Sequence, residues 1–112
     1  MADNPQTTIS AGGDHVTVII TFTCPDARQN ELVAELEKAI GELFARQPGF
    51  ISASIHASLD RTRVAVYGQW DTIEDFDAAG QVREIQDHMR QIMAVAESVD
   101  PRLFTVRAVH HR

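Results

Sequence analysis

Residues 48–70 read Pro48-Gly49-Phe50-Ile51-Ser52-Ala53-Ser54-Ile55-His56-Ala57-Ser58-Leu59-Asp60-Arg61-Thr62-Arg63-Val64-Ala65-Val66-Tyr67-Gly68-Gln69-Trp70, and the architecture turns on how they pair. Successive strand residues point to opposite faces. Over 50–58 that rule sets Ile51, Ala53, Ile55 and Ala57 on one side and Phe50, Ser52, Ser54, His56 and Ser58 on the other. Leu59 to Thr62 reads as a hairpin connection. A second strand, Arg63 to Trp70, then places Val64, Val66, Gly68 and Trp70 on one face and Ala65, Tyr67 and Gln69 on the other. The register between the two strands stays open, because one residue more or less in the loop exchanges the faces that meet.

Toward the N-terminus, Pro48-Gly49 closes a helical segment running from Pro25-Asp26 to about Gln47. Its Leu32, Val33, Leu36, Ala39, Ile40, Leu43 and Phe44 recur at spacings of three and four, the stripe of a helix lying on a sheet. Before it, residues 15–24 are dense in β-branched side chains and read as a strand. Residues 1–13 lack periodicity and read as a loose arm adding little to the core, with the folded domain spanning 14–112.

Toward the C-terminus, Thr72 with Asp75 three residues on resembles a capping box. It opens a short helix to about Ala79, which Gly80 breaks. A longer helix to about Ser98 carries Val82, Ile85, Met89, Ile92, Met93 and Ala96 as its stripe, and Asp100-Pro101 stops it. The last strand is expected over 103–109.

This βαββαβ order predicts an α+β, ferredoxin-like fold with both crossovers on one face of the sheet. If Ile51, Ala53 and Ile55 take the uncovered face, that face wants a partner, and a homodimer joined sheet to sheet is expected.

Composition narrows the functional classes. The chain has 112 residues, one domain by length, with 44% hydrophobic and 23% charged residues, the balance of a globular protein. Sixteen acidic against ten basic residues give a net charge of −6, which argues against a phosphate-rich nucleic-acid partner. One cysteine, Cys24, excludes an internal disulfide framework and a Cys-rich zinc site. No apolar run approaches a membrane span, and the first residues carry no secretory pattern, so a cytoplasmic protein without membrane attachment is expected.

Phosphate loops, nucleophile elbows and dinucleotide fingerprints are absent from the sequence. What remains is a set of single residues. Trp70 is either a core side chain or the wall of a site for a planar aromatic ligand. His56, on the small polar face of its strand, is either hydrogen-bonded structure or a base near neutral pH. Arg90 lies off the centre of its helix stripe and is either a surface cation or the rim of a pocket. His88 lacks a second histidine at ligand spacing, so no metal site is expected.

Taken together, Pro48-Gly49-Phe50, Ser52-Ala53 with His56-Ala57-Ser58, and Tyr67 with Gln69-Trp70 resemble the antibiotic biosynthesis monooxygenase family. Within it the likeness is to the cofactor-free oxygenases of aromatic polyketide pathways. The resemblance implies ferredoxin-like subunits paired into a dimeric α+β barrel, each with a pocket between sheet and helices. It further implies oxidation of a phenolic, anthrone-type polyketide to a quinone with O₂, using neither metal nor flavin.

Matched residue by residue, the resemblance makes Trp70, His56 and Arg90 the catalytic candidates. His56 would accept a proton, Arg90 would stabilise an enolate oxygen, and Trp70 would hold the ring plane. At two positions expected to bind substrate the chain departs from the pattern, with Val66 in place of an asparagine and Phe76 in place of a tyrosine. A non-oxidising dimeric protein that binds or helps assemble a polyketide is therefore the alternative reading.

Overall fold

A computed structural model describes residues 4–112; residues 1–3 of the expected arm lie outside the described residues. Strand β1 (Val16–Thr23) is followed by α1 (Gln29–Glu42), β2 (Phe50–Ala57), β3 (Arg63–Trp70), α2 (Ile73–Gly80), α3 (Arg83–Val95) and β4 (Ser98–Phe104). The four strands form one sheet in the order β2-β3-β1-β4, and every neighbouring pair is antiparallel. This is the ferredoxin-like arrangement the βαββαβ order predicts.

The register left open by the sequence is set by the pairing of Ile55 with Val66 and His56 with Ala65. Val64 and Val66 pack with Leu32, Leu36, Ala39 and Ile92 of the helices, so Ala53 and Ile55 face the helices too. The condition under which the uncovered face would carry an apolar patch of Ile51, Ala53 and Ile55 is therefore not met by Ala53 and Ile55. A bulge between Phe50 and Ser52 leaves Ile51 as the extra residue, 46% exposed, and lets Phe50 pair with Trp70 on the covered side. One inserted residue shifts the alternation of everything before it, which is why Phe50 parts from Ser52, Ser54 and His56.

The hairpin turns where expected. Ser58 N–H donates to the Arg63 carbonyl, and Arg61 adopts a φ of 67°. Asp60 locks the turn by accepting from the Thr62 amide and hydroxyl and from the Ser58 hydroxyl. These donors hold its carboxyl at about 2, below its ordinary 3.8. Gly49, at φ +83°, supplies the tight turn before β2, and a Cβ there would lie 2.2 Å from Asp75 Oδ2.

Several boundaries differ from expectation: a 3₁₀ turn at Asp26–Arg28 precedes α1, and β4 ends at Phe104 rather than 109. The first long helix ends at Glu42, and a separate 3₁₀ turn at Phe44–Arg46 follows; this unwinding sets Phe44 against Trp70, ring centroids 6.4 Å apart. The later helix ends at Val95 rather than near Ser98. The last strand begins at Ser98 and runs through Pro101, five residues ahead of expectation. A proline is tolerated there because β4 is an edge strand. Thr72 caps α2 as read, its hydroxyl accepting from the Asp75 amide at 3.0 Å.

The N-terminal arm is more than a loose tail. Thr7 Oγ1 lies 2.7 Å from Ser52 Oγ and donates to Gln69 Oε1 at 3.1 Å, while Gln69 Nε2 donates to the Thr8 carbonyl at 2.9 Å. Gln69 is consequently 3% exposed on a face with no helix over it.

Candidate active site

The covered face holds two adjoining clusters. One gathers Phe22, Leu32, Leu36, Val64 and Ile92; the other gathers Val16, Val18, Trp70 and Ile85. Ile20, Phe44 and Met89 belong to both. At the seam, small residues stand where large ones would close the space: Ala39 on α1, Ala53 on β2 and Gly68 on β3. The result is an inner chamber of about 50 Å³, walled by these residues with Val66, Trp70 and Phe76.

Trp70 is 3% exposed. Phe44, Phe50 and Phe76 meet it edge to face, with the latter two centroids at 5.3 and 5.8 Å. Such contacts fix the indole's orientation and stabilise beyond area burial. Trp70 is thus a core side chain that also lines the inner chamber.

Phe44 and Phe76 also wall a second, wider space. This outer cleft, about 550 Å³, is bounded by Ile20, Ile85, Gln86, Met89, Arg90 and Met93, with Val99 and Pro101 of β4 on its far side. Arg90 stands at its rim, its side chain 72% exposed and its Nη2 donating to Asp87 Oδ1 one turn earlier. An exposed i,i+3 pair of this kind costs about 1 kcal/mol or less to open, so the guanidinium is available to an anion in the cleft.

His56 does not join them within this chain. Paired with Ala65, it lies on the uncovered face, where its Nε2 is 2.9 Å from Ser54 Oγ. The expected convergence of Trp70, His56 and Arg90 on one guest is not seen within this chain: Trp70 lines the inner chamber, Arg90 stands at the rim of the outer cleft with Phe76 between the two, and strand alternation sends His56 to the opposite face. Val66 and Phe76 both reach the hollow, Val66 in the chamber wall and Phe76 between chamber and cleft.

Sequence reasoning passed over Phe44, Phe50 and Met89 as site residues, since their spacing marks ordinary core. Cys24 is buried, and burial pushes its thiol up, with Glu97 and Asp26 adding to the shift. That is the environment of an inert side chain rather than a nucleophile. Among the described residues no group of three or more His, Cys, Asp or Glu side chains is placed to hold a metal ion, and no helix is long and apolar enough to cross a membrane.

Residues 15–91 match the family described as antibiotic biosynthesis monooxygenase. The chain belongs to that family. It is 33% identical over 89 residues to tetracenomycin-F1 monooxygenase of Streptomyces glaucescens, covering 80% of each chain. Among solved structures it is similar to a variant of SnoaB, a cofactor-independent oxygenase from Streptomyces nogalater. The two are 25% identical with a TM-score of 0.71, over 87% of this chain and 97% of that one. A monooxygenase from the gene ActVA-Orf6 of Streptomyces coelicolor, solved with Nanaomycin D, shares the fold at TM-score 0.74 and 24% identity, over 87% of this chain and 91% of that one.

Proposed function

We propose that this family member is a cofactor-independent monooxygenase that oxidises an anthrone-type aromatic polyketide to a quinone with O₂. The observation that carries the reading is the outer cleft. Its volume falls within the roughly 300–1,000 Å³ of small-molecule sites, its walls include Phe44 and Phe76, and a single guanidinium, Arg90, stands at its rim. The relatives named for tetracenomycin F1 oxidation and for cofactor-independent oxygenation support the same class.

In this reading the fused rings lie between Phe76 and Met89 with a phenolic or enolic oxygen toward Arg90. The charge on Arg90 favours the anion and raises the electron density of the ring carbon, as a preformed cation does for a developing oxyanion. No carboxylate or imidazole lines the cleft among the described residues, so the proton departs to water at the open mouth. The carbanion reduces O₂ and bonds to it. Cleavage of the O–O bond then leaves a carbonyl and releases water. The methylene gives up two hydrogens and gains one oxygen, and its own electrons complete the reduction of O₂, so no outside reductant is required.

The homodimer belongs to this proposal as well. Ile19, Tyr67 and Phe104 share the uncovered face by their pairing, and Phe104 is 42% exposed. A second sheet laid on that face covers them, and light scattering should give twice the chain mass.

Oxygen uptake and quinone absorbance, measured together on an anthrone and corrected for its spontaneous oxidation, test the activity. One O₂ consumed per quinone supports the oxygenase. Quenching of Trp70 fluorescence without oxygen uptake supports the non-oxidising binding protein instead, a reading that Val66 and Phe76 in the hollow favour.

A further inference from the structure

Among the described residues three polar side chains are buried, Thr17, Gln29 and Gln69. Thr17 and Gln69 are cross-strand partners on the face of the sheet that carries no helix. The N-terminal arm lies there instead. Thr7 bonds to Ser52 of β2 and to Gln69 of β3, and the Thr8 carbonyl accepts from Gln69 Nε2, so the arm is fastened across two adjacent strands at one end of the sheet. Residues 4–13 themselves are exposed, and Ile9 is 45% exposed. The arm thus has an inner side fixed to its own sheet and an outer side that presents an apolar residue to solvent. Among the described residues the Thr17 hydroxyl and His15 Nε2, at the entry to β1, are buried without a hydrogen-bond partner, so packing at this end is unfinished in the single chain.

Charge and area both point to a second copy as the occupant. Two chains of net charge −6 repel each other, and they can meet only on a surface free of acidic excess. The uncovered face is such a surface. Its strands contribute one carboxylate, Asp100, which accepts from Arg102 Nε, together with Arg63 and otherwise uncharged side chains. Four strands of seven or eight residues make a face of roughly 500 Å², against about 800 Å² per partner in a stable interface. The arm extends the same face toward that size.

We propose that the N-terminal arm is part of the surface on which two copies meet, with Thr7 and Thr8 clipping it to its own sheet and Ile9 packing on the partner subunit. This inference rests on the homodimer reading given above. Because hydrogen bonds already hold the arm in the single chain, little ordering is left to be done on association. Two-fold symmetry makes the contact twice, so one substitution is felt at two places.

Sedimentation equilibrium of the full chain over a dilution series tests the proposal, with far-UV circular dichroism and urea midpoints as controls on folding. The unaltered protein is expected at twice the chain mass. Ile9→Asp should raise the dimer Kd at least tenfold while the fold is kept, since it sets a carboxylate from each arm against the partner, and Ile9→Leu should leave Kd unchanged. Thr7→Val, which takes the hydroxyl away from Ser52 and Gln69, should raise Kd several-fold. A dimer whose Kd is the same in Ile9→Asp and Thr7→Val as in the unaltered protein overturns the role of the arm and leaves the homodimer standing. An unaltered protein that stays at the mass of one chain throughout the series overturns both.

Discussion

On the helix side of the sheet, Val64, Val66, Gly68 and Trp70 meet two helices and enclose a hollow; one residue over along the same strand, Ala65, Tyr67 and Gln69 meet a serine-rich neighbour and a short piece of the N-terminal arm. The backbone is common to both faces, so the contrast comes from side-chain parity alone. Apolar residues that cannot fill the space between them leave a hollow. Polar residues on the other face pair instead, as Gln69 does with Thr7 and Thr8 and Ser54 does with His56. A binding site here is thus a failure of packing located where small residues stand, and its chemistry is limited to what reaches in from the rim.

The largest expected effect breaks the covered face. Trp70→Ala removes a buried indole and three edge-to-face contacts, and should cost about 3–5 kcal/mol in urea denaturation. Arg90→Ala comes next and should leave stability within about 0.5 kcal/mol while lowering turnover of an anthrone roughly 10²-fold, the usual loss for one oxyanion-stabilising donor. A steady-state assay at saturating O₂ reads this directly, and unchanged turnover would remove Arg90 from the mechanism.

Gly49→Ala probes the bulge that brings Phe50 across to the covered face. The positive φ and the close Asp75 side chain predict a loss of about 1–3 kcal/mol, measurable as a lower urea midpoint. On the uncovered face, His56→Ala should change stability by no more than about 0.5 kcal/mol and leave kcat unaltered.

The hairpin that fixes which residues share a face gives the smallest effect. Asp60 binds its proton less readily folded than unfolded, so its contribution is fully present above 3.8 and fades as pH falls toward about 2. Asp60→Asn should therefore flatten the acid limb of the stability curve, and an unchanged limb would show that the turn does not depend on the carboxylate.

Much of this was legible in the sequence, for identifiable reasons. The alternation of β3 is clear because its two faces differ in chemistry, and the Thr72 cap is clear because its side-chain oxygen can accept from the free Asp75 amide at the helix start. The bulge was hidden because Phe50 and Ile51 are both apolar, so either could face the core. The start of β4 was hidden because Ser98-Val99-Asp100-Pro101 has the composition of a turn, and only its place at the sheet edge makes it a strand. His56 could not be assigned to a face until the register was known. The chamber itself had no signature: Ala39, Ala53 and Gly68 lie far apart in sequence, and a void is visible only once they are brought together.

The central claim is that the aromatic substrate is handled on the helix side of the sheet, in the cleft beneath Arg90. A crystal structure with a tricyclic phenol tests it most directly. The account predicts the rings against Phe76 and Met89 with a phenolic oxygen within hydrogen-bond distance of the Arg90 guanidinium; a ligand lying on the opposite face, beside His56 and Ser54, would contradict it.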